Sequence, residues 1–108
     1  MARIATRLAG PALVSSAAAT KFTVPALTKV IVRHIHIQNP SGAAVTFTAS
    51  IGADAAGTRL FDAYSIAAGA VLDHFCYYVV DAAEIFQALA GTNNILTLTI
   101  DGDYIVLG

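Results

Sequence analysis

Between residues 43 and 52 the chain reads AAVTFTASIG, with Val45, Phe47, Ala49 and Ile51 on one side of an alternation and Thr46, Thr48 and Ser50 on the other. Successive side chains of an extended backbone point to opposite faces, so this pattern predicts a half-buried β-strand. From Thr20 onward similar text recurs: short β-branched runs cut by turn formers. TKFTV (20–24) ends at Pro25, and TKVIVRHIHIQN (28–39) runs into Asn39, Pro40, Ser41 and Gly42. TRLFDAYSI (58–66) and AVLDHFCYYVV (70–80) are separated around Gly69, while NILTLTID (94–101) and DYIVLG (103–108) flank Gly102. Many short strands at close spacing predict an all-β fold, an antiparallel sandwich or barrel. Gly102 is expected to take a positive φ in a tight closing hairpin.

One segment departs from the β text. In DAAEIFQALAG (81–91), Asp81 is placed to cap, Glu84 follows three residues on, and Gly91 can stop a helix. With Ile85, Phe86 and Leu89 on one side, the spacing predicts one short helix. The opening MARIATRLAGPALVSSAAATK mimics a secretory leader, but Pro11, Ser15 and Ser16 interrupt its apolar run. Residues 1–19 are read as an N-terminal extended arm with an edge strand, and 20–108 as a single β-sandwich domain. The Ala/Ser tract at 15–19 is expected to be a flexible or partner-bound crossover.

A chain of 108 residues buries roughly 65% of its unfolded surface, enough for a two-layer core without staples. Its net charge of -1, with 12% charged residues, offers no basic field for nucleic acid and no polybasic patch for a membrane. No apolar stretch is long enough to span a bilayer. Hydrophobic residues make up 56%, and mean hydropathy is +0.68, high for a small soluble monomer. Part of that apolar surface is expected to lie against neighbouring subunits. Cys76, the single cysteine, excludes an internal disulfide and sits in the apolar run FCYYVV, where it is expected to pack as a small hydrophobe.

The candidate chemistry centres on RHIHIQN (33–39). Residues two apart on a strand share a face, so His34 and His36 are neighbours and could begin a zinc, iron or copper site. In the cupin family a glutamate follows such a pair and a further histidine arrives from a later strand. Here Ile37, Gln38, Asn39, Pro40 and Ser41 follow, and His74 alone could be the distant ligand. The expected reading is no metal and no cofactor. Instead, Ile31, Ile35 and Ile37 face the core while His34, His36 and Gln38 form an outward row. Arg33 spoils this register, through either a bulge or a strand end leaving the core.

Asp101-Gly102-Asp103 lacks the ligands of an EF-hand, IGADAAGTR lacks the lysine of a phosphate loop, and the serines sit in no nucleophile elbow. No catalytic set is assembled, and the chain is expected not to be an enzyme. A sugar platform needs two or three aromatics on one exposed face; adjacent Tyr77 and Tyr78 point oppositely, so core packing is expected for the aromatics instead.

The order of phrases resembles that of small accessory virion proteins of tailed bacteriophages, over residues 20–108. The carrying stretches are Phe22-Thr23-Val24-Pro25-Ala26, then KVIVRHIHIQN, AVTFTASIG, LFDAYSIAAGAVLDHF and the ending TLTIDGDYIVLG. DAAEIFQALAG, where such proteins have a simple acidic-glycine turn, and the histidine pair depart from that pattern. The resemblance implies a jelly-roll-like β-sandwich present in many copies on a virion assembled in the host bacterial cytoplasm. Its implied role is a capsid decoration (cement) protein, with a tail, collar or fibre-associated module that contacts host glycan as the alternative. A cupin-like metalloprotein using His34, His36 and His74 is the reading from another class. Expected partners are further copies of the chain, a trimer favoured, and the major capsid protein or another virion protein. The interface candidates are Arg3, Ile4, Leu8, Leu13 and Val14 on the arm and His34, His36 and Gln38 on the outward row.

Overall fold

The structure is a computed structural model that describes residues 3–107; the first two positions of the expected arm and Gly108 of the closing strand lie outside it. Among the described residues eight strands follow one another: β1 (Arg3–Leu13), β2 (Ala19–Thr23), β3 (Thr28–Gln38), β4 (Val45–Ile51), β5 (Arg59–Ile66), β6 (Val71–Val80), β7 (Ile85–Ala90) and β8 (Thr97–Val106). They form two four-stranded sheets in the orders β1-β8-β3-β6 and β2-β7-β4-β5, every pairing antiparallel. The first-half strands pair with the second-half strands in reverse, β1 with β8, β2 with β7, β3 with β6 and β4 with β5. This is one long antiparallel ribbon rolled up, and the additional pairings β3–β8 and β4–β7 close each sheet. Such winding is that of a jelly roll.

The inward faces of the two sheets make one core. Leu8, Val30, Val32, Ile35, Ile37, Val80, Leu98 and Ile100 from the first sheet meet Phe22, Val45, Phe47, Ala49, Ile66, Phe86, Ala88 and Ala90 from the second. Val14, Val24 and Leu96, from the connections between sheets, seal the ends. Asn39, buried at the end of β3, ties two crossovers together. Its side-chain amide donates to the carbonyls of Ala43, Ile66 and Ala67, and its Oδ1 accepts from the Ser41 amide and hydroxyl. A buried amide so fully paired costs little to keep and much to disturb.

Three sequence expectations need correction. DAAEIFQALAG forms no helix: residues 81–84 make a turn, and Ile85–Ala90 is strand β7. Asp81 and Glu84 do bond reciprocally, the Asp81 amide to Glu84 Oε1 and the Glu84 amide to the Asp81 carbonyl. Ala83, however, has a φ of 68°, which no continuing right-handed helix accommodates. Beyond it the burial has period two, with Phe86, Ala88 and Ala90 inward. Two of those buried positions are alanines, so apolar size misled the pattern, and pairing with β2 and β4 overrode helix propensity.

The second correction concerns Gly102, which is no turn. It lies within the continuous strand β8, between β1 and β3, and its φ is not left-handed. A Cβ there would overlap the Ile31 carbonyl oxygen and approach Leu8 Cδ1 to 2.9 Å, so glycine is needed for close backbone approach. Gly102→Ala is accordingly expected to destabilise the fold by about 1–3 kcal/mol or more, read as a lower denaturant midpoint.

The third is the register of β3. Val30 and Val32 face the core with Ile35 and Ile37, while Ile31 is buried on the outer face between Val79 and Asp103 of the adjacent strands. Against β8, Val32 pairs with Gly102 and His34 with Asp101, which leaves Arg33 as an extra residue. A β-bulge therefore resets the alternation at Arg33 and puts both Arg33 and His34 outward.

Candidate functional site

The outer face of the β1-β8-β3-β6 sheet brings together His34, His36, Asp73, Asp101 and Asp103. On β6 alternation sends Val71, Asp73, Phe75, Tyr77 and Val79 outward and Leu72, His74, Cys76, Tyr78 and Val80 inward. The outward apolar members are far from covered: Phe75 is 76% exposed, Tyr77 62%, Val71 50% and Val79 44%. They stand in one row, interrupted by Asp73 between Val71 and Phe75, on a strand that is itself a sheet edge. Unpaired edge backbone beside exposed apolar side chains is a template for association.

Beside that row lie the histidines. Pairing of β3 with β6 sets His36 opposite Asp73 and His34 opposite Phe75. The His34 Nε2 and His36 Nδ1 ring atoms both reach Asp73 Oδ1, at 2.9 Å and 2.6 Å. Hydrogen bonds from His36 first, and from His34, hold the Asp73 carboxyl below its ordinary range. The His34 ring stacks on Phe75 with centroids 4.4 Å apart and planes within 3°. Its Nδ1 lies 4.0 Å from Asp101 Oδ2 on β8. His74, the expected third histidine, points to the other side of the sheet, where Nε2 is 3.0 Å from the Tyr78 hydroxyl and the ring meets Phe61 edge-on. The cupin-like set of His34, His36 and His74 therefore does not converge.

Further along the same face Asp103 is held by two arginines. Arg3 donates from Nε and Nη2 to Oδ2 at 2.9 Å and 2.7 Å, and Arg33 from Nη1 at 3.2 Å. Arg33 also lies over the Tyr77 ring, 5.9 Å from its centroid. The Arg3 hydrogen bonds and the two positive charges outweigh burial and keep the Asp103 carboxyl below the ordinary aspartate value of 3.8. A depressed pKa contributes stability that is complete above 3.8 and disappears as pH falls through the folded-state value. The wild type is thus expected to lose melting temperature below pH 3.8 more steeply than Asp103→Asn, measured by thermal denaturation across that range.

The arm candidates divide. Leu8 and Val14 lie in the chain's own core, and Arg3 is taken up by Asp103. Ile4 and Leu13 are exposed on β1, the opposite edge of the sheet. Gln38 is exposed at the end of β3, in line with the two histidines. Cys76 is half-buried against the core, its thiol pKa raised by burial, with Sγ 3.5 Å from the Val32 carbonyl. Sequence reasoning missed Asp73, Asp101 and Phe75. The alternation of β6 was readable, but which face turned outward, and which strand lay beside it, was not.

Between the ends of β5 and β6 a shallow cleft of about 230 Å³ is lined by Tyr64, Ser65, Ile66, Ala67, Ala70, Val71 and Leu72. Small-molecule sites run to about 300–1,000 Å³ and are mostly enclosed, so this cleft is no strong substrate pocket. Comparison of the chain with protein-family models, with curated proteins and with solved structures finds no match in any of the three.

Proposed function

We propose that this chain is a structural virion protein of a tailed bacteriophage, a capsid decoration protein that cements the shell by burying apolar area across subunit joints. The observation that carries this reading is the exposed row Val71, Phe75, Tyr77 and Val79 on edge strand β6. A jelly roll is one architecture of capsid domains, and symmetric repetition of one subunit lets a single apolar patch serve every joint. In this reading the chain catalyses nothing. It associates with itself, as a trimer or larger, and with the major capsid protein or another virion protein, and it resides in the virion.

A second reading has one observation in its favour. Phe75 and Tyr77 stand exposed on one face, two residues apart, as rings that stack on a sugar must. A tail, collar or fibre-associated module contacting host glycan would use that pair. Counting copies of the chain per purified particle by quantitative mass spectrometry separates the readings. Hundreds of copies support the shell role, a dozen or fewer the tail or neck, and none in the particle overturns both.

A further inference from the structure

His34 is an imidazole between two carboxylates. Asp73 Oδ1 lies 2.9 Å from its Nε2, and Asp101 Oδ2 lies 4.0 Å from its Nδ1 on the other side. A neutral imidazole carries one ring proton. If that proton is on Nε2 and donated to Asp73, the bare lone pair of Nδ1 faces the Asp101 carboxylate. A second ring proton or a cation at Nε2 removes the conflict; with the cation, the ring proton sits on Nδ1 and points towards Asp101. The 4.0 Å gap to Asp101 is longer than a hydrogen bond, and closing it by about 1 Å makes the carboxylate–histidine–metal arrangement that orients metal-ligating imidazoles.

His36 completes the donor set. Its Nδ1 reaches the same Asp73 oxygen at 2.6 Å, and the His34, His36 and Asp73 donor atoms all lie within 4.8 Å of one another. A tetrahedral ion with ligand bonds of 2.0–2.1 Å holds its donors about 3.3 Å apart. Opening the two short contacts by less than about 1 Å, with the two imidazole nitrogens closing from at most 4.8 Å, reaches that spacing by small side-chain rotations. Two imidazoles and one carboxylate suit zinc and its neighbours rather than calcium or magnesium, which prefer oxygen. The strands fix the rest: His34 and His36 are two apart on β3, Asp73 is across from His36 on β6, and Phe75 holds the His34 ring by stacking.

The geometry points to a divalent transition-metal site of the zinc class on the outer face of this sheet, with His34 Nε2, His36 Nδ1 and an Asp73 oxygen as ligands and Asp101 orienting His34. Three protein ligands leave a fourth position for water or for a donor from a neighbouring molecule. The site lies on the side of the sheet away from the core, adjoining the exposed Phe75, so a bound ion would sit at the edge of the apolar row.

Zinc titrated calorimetrically into the purified chain, with any affinity tag removed, tests the assignment. One equivalent is expected to bind. His36→Ala and Asp73→Ala are each expected to weaken binding by about 100-fold or more, and Asp101→Asn by about tenfold, while His74→Gln leaves it unchanged. All four positions are at least partly exposed, and circular dichroism checks that each variant folds. Failure to bind at millimolar zinc, retention of binding in a His34→Ala/His36→Ala double variant, or an equal loss in His74→Gln would each overturn the site.

Discussion

Phe86→Ala is expected to remove about 3–5 kcal/mol of stability, a large fraction of the 5–15 kcal/mol typical of a domain. Phe86 is fully buried in the middle of its sheet, between β2 and β4, and its ring stacks on Phe22 with centroids 5.3 Å apart. Truncation there leaves a cavity lined by rigid strands that cannot collapse far, so the cavity cost adds to the lost transfer energy. Leu89→Ala, three residues away, is expected to cost only about 1 kcal/mol, because Leu89 is half-buried and points away from the core. The contrast is the informative part. Were residues 84–90 helical, Phe86 and Leu89 would share a face and lose comparable amounts. Urea unfolding of the two variants, analysed for midpoint and slope, separates strand from helix directly.

The second large effect concerns association. Phe75→Ser/Tyr77→Ser removes the two most exposed aromatic side chains of the β6 row. Buried aromatic anchors at interfaces cost about 2 kcal/mol or more each when truncated, so the pair is expected to weaken self-association by about a thousandfold. Folding stability should move little, within about 0.5 kcal/mol per exposed position. Light scattering coupled to chromatography, with melting temperature measured alongside, reads both. A variant that melts as before and elutes as a monomer is the expected outcome. Loss of the fold itself would show that the row serves the sandwich and not a neighbour.

How far the sequence revealed this molecule depends on which interactions are local. The alternation in AVTFTASIG and the turn formers after Gln38 mark strands without ambiguity, because period two and proline-rich turns are properties of a few adjacent residues. The two-layer, antiparallel character followed from them. Where the reading failed, distant partners decided. Residues 84–90 carry alanine, leucine and glutamine, good helix formers, yet two neighbouring strands claim their backbone hydrogen bonds. Gly102 looks like a turn between two aspartates, and only the close approach of the Ile31 carbonyl shows why glycine stands there.

The histidine cluster was half legible for the same reason. His34 and His36 could be placed on one face from their spacing alone. Asp73 is 37 residues beyond His36 in sequence and becomes its neighbour only through the rolled ribbon that pairs β3 with β6. The bulge at Arg33 adds a further step: without it His34 would have faced the core beside Val32. On β6 both faces are apolar, so amphipathicity could not say that Phe75 and Tyr77 were the exposed pair. An apolar outward face carries little sequence contrast with a core, so the pattern alone cannot tell the two apart.

Sedimentation equilibrium of the wild-type chain over a range of concentrations decides whether the β6 row joins one copy of the chain to another. A trimer or larger assembly is expected at roughly 10 µM, since subunits that cement a shell must hold together at least at micromolar affinity. A species that remains monomeric well above that concentration, with Phe75, Tyr77, Val71 and Val79 open to solvent, would contradict it.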